Sequence, residues 1–284
     1  MLSPQSRFAE ISAHKKKYMN YYASRDRNIK AAQAHHKEML KKYPWEIADS
    51  IDETIVYGGD GRVPERRGNA SHSHTAVFCD KDTVSALIDA RYDNPGKRIV
   101  VLNFASYQNP GGKFLEGSSA QEESLCHAST LFECLSAQKN YYDYNKLHKN
   151  YSLYTDRALY VPGVIFESKV GENVVSDVIV CAAPNRRAYS KHFSTEFPDF
   201  DKRNREAMAS RIRFIRDIAE ENRADVLILG AFGCGVFGQD QDEVAAIFQS
   251  VFAETSVPRL IYAVPSKFNE KNANAFKNIC ESAS

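Results

Sequence analysis

Residues 100–135 read VVLNFASYQNPGGKFLEGSSAQEESLCHASTLFECL. The run that ends at Asn103 is apolar without interruption from Ile99, which fits a strand buried on both faces of a sheet. A loop containing Pro110, Gly111 and Gly112 follows, and then Gln121, Glu122 and Glu123 open a helix predicted over 121–139. Strand, glycine turn and acid-bearing helix start make one half of an α/β unit. In such units ligands collect at the carboxyl ends of the strands.

The pattern repeats outward from there. TAVFC (75–79), ALYVPGVIF (158–166), SDVIVCAAPN (176–185), ADVLILGAF (224–232) and PRLIYAVP (258–265) predict further strands. Helices are expected over DTVSALIDARY (82–92), over 201–222 with Met208, Ile212, Ile215 and Ala219 as its stripe, over DEVAAIFQSVFAE (242–254), and from about Asn269 to the end. The alternation predicts an α/β fold: a mixed, mostly parallel sheet with helices on both faces. Residues 1 to about 43 carry Ile29, Ala32, His36 and Met39 at helical spacing until Pro44 stops the pattern, and 58–73 read as loop. The expected organisation is one domain over 1–284 with a helical N-terminal extension over 1–53 packed on it.

The 37 basic and 36 acidic residues leave a net charge of +1, which does not present a general nucleic-acid binder. No apolar run is long enough to span a bilayer, and the N-terminus has no apolar signal core, so a soluble, cytoplasmic protein without membrane contact is expected. The six cysteines form no C-x-x-C pair and are expected as buried, reduced thiols; Cys126 and Cys134, inside the predicted acid-bearing helix, have no base beside them. His72 and His74 sit two apart in a Gly/Ser/Asn-rich loop, a spacing that points to no metal site. Neither metal nor cofactor is expected.

Three strand ends carry unusual loops: Asn103 with the Pro110–Gly112 turn, Ala183–Pro184–Asn185, and GAFGCGVFG over 230–238. With parallel strands all three fall on one side of the sheet. Glycines at 230, 233, 235 and 238 let a backbone turn its amides toward phosphate oxygens, and the helix starting near Gln241 is placed to add its N-terminal charge. Two readings of Glu122 stand. Ser119 three residues earlier makes a capping box, and the alternative is a carboxylate turned into the pocket. Glu123 is not needed by the cap, and a 100° step along the helix keeps the two acids from serving one function from one face. Asn103 closes its turn or orients a ligand, and Phe237 packs in the core or stacks on a sugar or base. The tyrosines at 141, 142, 144, 151, 154 and 160 line a cleft or form a Tyr-rich loop packed on the domain.

LNFAS, PGGKF, QEESL and LGAFGCGVFG, in that order and over most of the chain, resemble the microbial branch of the poly(ADP-ribose) glycohydrolases, which are macrodomain-like enzymes. The resemblance implies hydrolysis of O-glycosidic ribose bonds, with ADP-ribose or poly(ADP-ribose) on modified proteins as substrate. Glu123 would be the general acid and base, Glu122 would hold the ribose with Asn103, and Gly111, Gly112, Lys113 and Gln121 would complete that end. Gly233, Cys234, Gly235 and Val236 would supply amides to the diphosphate, and Phe237 would order the ribose or adenine end. The residues of an adenine pocket find no match. Lys113 departs from the family's third glycine, which would permit positive φ; the lysine needs an ordinary φ or tolerates strain, and it could place an ammonium near the diphosphate. A binding module that recognises ADP-ribose without cleaving it is the alternative.

Overall fold

The buried run Ile99–Phe104 forms β3, the middle strand of seven. The computed structural model describes residues 24–65, 74–168, 172–193 and 195–282. Before β3 come α1 (residues 24–42), α2 (Pro44–Asp52), β1 (Ile55–Tyr57), β2 (Thr75–Cys79) and α3 (Thr83–Asp93). After it come α4 (Gln121–His127), α5 (Leu131–Ala137), α6 (Lys139–Leu147), β4 (Ala158–Phe166) and β5 (Val174–Cys181). The chain ends with α7 (Arg186–Phe193), α8 (Phe200–Glu221), β6 (Val226–Leu229), α9 (Gln241–Phe252), β7 (Arg259–Ala263) and α10 (Glu270–Glu281).

Strand order is β1-β4-β5-β3-β6-β7-β2. The five strands from β5 to β2 are parallel, while β4 and β1 pair antiparallel at one edge. This is the mixed, mostly parallel sheet that the alternation predicts. Val100 and Leu102 face the helices α8, α9 and α10, while Ile99 and Val101 face α3, α4, α5 and α6 together with Ala32 of α1. Because β5, β3 and β6 are adjacent and parallel, the three unusual loops leave the sheet side by side.

Two helical expectations need correction. The helix expected over 121–139 is broken at residues 128–130 into α4 and α5. There the backbone pairs with the end of β4, through Thr130 N–H to Ile165 O (3.0 Å) and Glu167 N–H to Ala128 O (2.8 Å). Ser129 Oγ donates to the Leu125 carbonyl at 2.8 Å. Tyr141, Tyr142 and Tyr144 lie on a helix, α6, rather than a loop, the first two buried beneath it. Pro44 both ends α1 and opens α2, at whose first turn a missing N–H costs nothing. Residues 1–23 of the predicted N-terminal helix, and His72, lie outside the described residues. None of the six cysteines forms a disulfide. Among the described residues no helix is long and apolar enough to cross a membrane, and no three His, Cys, Asp or Glu side chains converge as a metal site.

Candidate active site

Helix α4 starts at Gln121, with Ala120 as its N-cap and no side chain capping it. The capping box expected between Ser119 and Glu122 therefore does not form: the helix begins one residue too late, and Glu122 turns inward instead. Its Oε2 accepts the Ser106 amide at 2.7 Å and its Oε1 accepts Asn103 Nδ2 at 3.2 Å. Gln121 turns onto the end of β3. Its Oε1 accepts from Phe104 N (2.8 Å), and its Nε2 donates to Leu102 O (2.9 Å) and Thr83 Oγ1 (3.2 Å). Gln121 thus uses its whole amide to bracket β3 to α4, which fixes the start of the acid-bearing helix.

Glu123 Oε1 accepts the Lys113 amide at 2.9 Å. Despite the 100° step between them, both acids reach Gly112. A Cβ there would lie 2.6 Å from Glu123 Oε1 and 2.9 Å from Glu122 Oε2. Gly111 and Gly112 both adopt positive φ (65° and 61°), whereas Lys113 has an ordinary φ of −115°. The third position of the turn therefore needs no glycine. The Lys113 ammonium is turned outward, 65% exposed and 3.9 Å from Glu116 Oε2.

Burial pushes the Glu122 carboxyl up to about 8, aided by the neighbouring Glu123, against the opposing donors of Ser106, Asn103 and Gly111. Asn103 is fully buried and its Oδ1 has no partner, so a half-turn of its amide offers an acceptor for the Glu122 proton. A carboxyl whose folded pKa lies above its unfolded value stabilises the fold fully below about pH 4.5, and that contribution is lost as pH rises through about 8. Glu122→Gln removes this titration. Its stability relative to the unsubstituted chain should therefore rise between about pH 5 and pH 8.5, by on the order of 3–5 kcal/mol. Urea unfolding at the two pH values measures it, and a pH-independent difference would reject the buried acid. The thiols of Cys126 and Cys134 are also pushed up by burial, the latter to about 12, which leaves them poor nucleophiles.

The glycine loop leaves β6 beside this cluster. Gly233 has φ 78°, and a Cβ there would lie 2.8 Å from Ala183 Cβ. The amide of Cys234 is already donated to Ala231 O at 3.1 Å, which removes it from the expected amide donors. Among the described residues the amides of Gly233, Gly235, Val236 and Phe237 make no hydrogen bond. The N-terminus of α9 does not contribute as expected, because Asp240 caps it by accepting from Asp242 N and Glu243 N. Gln239 anchors the loop from below: Nε2 donates to Pro184 O and Asn204 Oδ1 (both 2.8 Å), and Oε1 accepts from Asn204 Nδ2 (2.9 Å).

A cleft of about 380 Å³ runs along the strand ends. Gln121, Gly233, Gly235, Val236 and Phe237 line it. Asn103, Glu122, Glu123 and the 111–113 turn do not; Asn103 at the end of β3 and the turn meet the two acids at the start of α4. Phe237 packs edge-on against Tyr154, which stacks on Tyr107 at 4.1 Å. Of the tyrosine run, it is Tyr154 that meets Phe237 beside the cleft. The opposite end is formed by Asp82, Pro265, Phe268 and Asn269, with Phe268 76% exposed. None of these was singled out in the sequence; the clue was that PRLIYAVP and TAVFC end on the same side as the other loops.

Comparison with known proteins agrees with this fold. The chain is similar over its length to the crystal structure of poly(ADP-ribose) glycohydrolase from Thermomonospora curvata, at 24% identity and a TM-score of 0.76 over 90% of this chain and 100% of that one. It is also similar to the Deinococcus radiodurans poly(ADP-ribose) glycohydrolase crystallised with ADP-ribose, at 28% identity and a TM-score of 0.72 over 83% of this chain and 97% of that one. No curated protein sequence matches it. The sequence profile described as microbial-type PARG, catalytic domain, matches residues 10–167, more than half of the 284. The chain belongs to the microbial-type poly(ADP-ribose) glycohydrolase catalytic-domain family.

Proposed function

We propose that this chain hydrolyses the O-glycosidic ribose bonds of poly(ADP-ribose) or ADP-ribosylated proteins and releases ADP-ribose. The observation that carries the reading is the meeting of two buried carboxylates at Gly112, beside a loop with four uncommitted amides. A diphosphate suits those amides, and the aromatic ends of the cleft suit a ribose beside Phe237 and an adenine beside Phe268. The family and the Deinococcus radiodurans relative with ADP-ribose bound support the same ligand.

Glu123 is the residue assigned to catalysis. Both oxygens of Glu122 accept hydrogen bonds, from Asn103 and Ser106, so Glu122 and Asn103 fix the ribose-side wall. Glu123 commits only Oε1, to Lys113, and its other oxygen makes no hydrogen bond among the described residues. That oxygen protonates the leaving oxygen as the anomeric bond breaks, and the carboxylate then takes a proton from the attacking water. Adjacent acids on one helix do not form the usual pair on opposite faces of the sugar, so one carboxyl serves in both steps. Gly111 and Gly112 let the backbone approach the acids, and Lys113 supplies its amide rather than its ammonium. No metal or other cofactor is invoked. A cytoplasmic setting fits six cysteines with no disulfide between them.

Incubation of the chain with poly(ADP-ribosyl)ated protein should yield free ADP-ribose, read by chromatography. Polymer that is bound but left intact would make the protein a reader. The ordinary φ of Lys113 speaks against that alternative, because the lysine leaves the turn undisturbed.

A further inference from the structure

We propose that α1 belongs to the catalytic apparatus, with Arg25 and Asn28 as positioning residues that hold the 114–117 turn and, through it, the amide that grips Glu123. The inference rests on the assignment of Glu123 above. The face of α1 that meets the acid-bearing segment is one helical stripe. Arg25 Nε donates to Glu116 O (2.9 Å), and Asn28 Nδ2 donates to Gly117 O (3.2 Å). Ala32 is fully buried in the core beside Phe114 and Leu125. One turn on, His35 Nε2 meets Ser129 O at 3.0 Å, and His36 Nδ1 meets Glu133 Oε1 at 2.8 Å. The same helix therefore ties down the turn before α4 and the break after it.

Contact at the turn is close. Gly117 has φ 79°, and a Cβ there would lie 2.6 Å from the Arg25 carbonyl oxygen. The turn is closed on Lys113: Glu116 N (3.0 Å) and Ser118 N (3.2 Å) both donate to Lys113 O, while Lys113 N donates to Glu123 Oε1 at 2.9 Å. A shift of Glu116 and Gly117 is thus passed to the peptide that orients the carboxylate. A misplacement of about 1 Å at a reacting group costs on the order of 10²-fold in rate. The amide-bearing loop at 233–238 makes no hydrogen bond to α1 among the described residues, so ligand affinity and turnover should separate.

Asn28→Asp tests this, because it keeps the shape and replaces the donor facing Gly117 O with a carboxylate. The expected result is a fall in kcat of about tenfold or more, with affinity for ADP-ribose within about twofold by calorimetry and faster hydrogen exchange at the Lys113 amide by NMR. Asn28→Gln, which keeps a donor, should recover part of kcat. Unchanged exchange at Lys113, or equal losses of kcat and affinity, overturns the proposal. If the unsubstituted chain releases no ADP-ribose, the functional reading has failed, and exchange at Lys113 alone decides the positioning role.

Discussion

Glu123→Gln should leave ADP-ribose bound and stop its release. The amide oxygen of Gln can still accept the Lys113 N–H that Glu123 Oε1 accepts at 2.9 Å, so the turn and the helix start are kept. The loop proposed to hold the diphosphate, residues 233–238, is a different one and is untouched. What is lost is the proton for the leaving oxygen and the base for water. General acid–base assistance is worth about 10²–10⁴-fold, and the release rate should fall by that factor. Single-turnover release from polymer measures the rate, and calorimetry with ADP-ribose measures binding. Turnover within tenfold of the unsubstituted enzyme would move the catalytic role away from Glu123. Equal losses of binding and turnover would make it a ligand contact instead.

The fold was legible where burial is two-sided. β3 up to Asn103, β5 after Asp177 and all of β6 read as apolar runs because helices cover both faces of the sheet, and their parallel order follows from the helices between them. Strand β1 was not legible. It has three residues and exists by pairing with β4 across about a hundred positions of sequence, which leaves no local pattern. The break in the 121–139 helix is hidden for the same reason, since the groups that make it are on β4. In the site, residue types and their order pointed to the acids and the glycine loop, but not to what holds them. Ser119 and Glu122 stand at capping spacing, yet buried donors from Ser106 and Asn103 outbid the cap for the carboxylate. The helix starting near Gln241 looked placed to add its N-terminal charge because the cap that Asp240 supplies depends on backbone geometry. The Asn204–Gln239 pair joins two elements 35 residues apart and carries no motif. Lys113 looked like a defect in a glycine triplet, whereas positive φ is needed only at the two residues before it.

Gly112→Ala should slow hydrolysis by on the order of 10²-fold at a modest cost in folding. Two effects can be separated. Placing an L side chain at φ 61° costs roughly 1–2 kcal/mol wherever it occurs. Gly96 has φ 75° with nothing within 4 Å of a Cβ, so Gly96→Ala carries that backbone cost alone. At Gly112 the new methyl also meets Glu123 Oε1 at 2.6 Å and Glu122 Oε2 at 2.9 Å, both too close to keep. These oxygens end flexible side chains, but they are not free to swing. Ser106 and Asn103 hold Glu122 in a buried site, and Lys113 holds Glu123 through a peptide adjacent to the substitution. The cheapest relief is a shift of about 1 Å in the Glu123 carboxylate, which costs on the order of 10²-fold in rate without removing the protein's stability. Both variants should therefore melt a few degrees lower, while Gly96→Ala keeps its turnover and Gly112→Ala turns over on the order of 10²-fold more slowly with ADP-ribose affinity retained. Equal activity in the two would mean that the acids tolerate displacement, and that the close approach of the turn to Glu122 and Glu123 serves packing rather than catalysis.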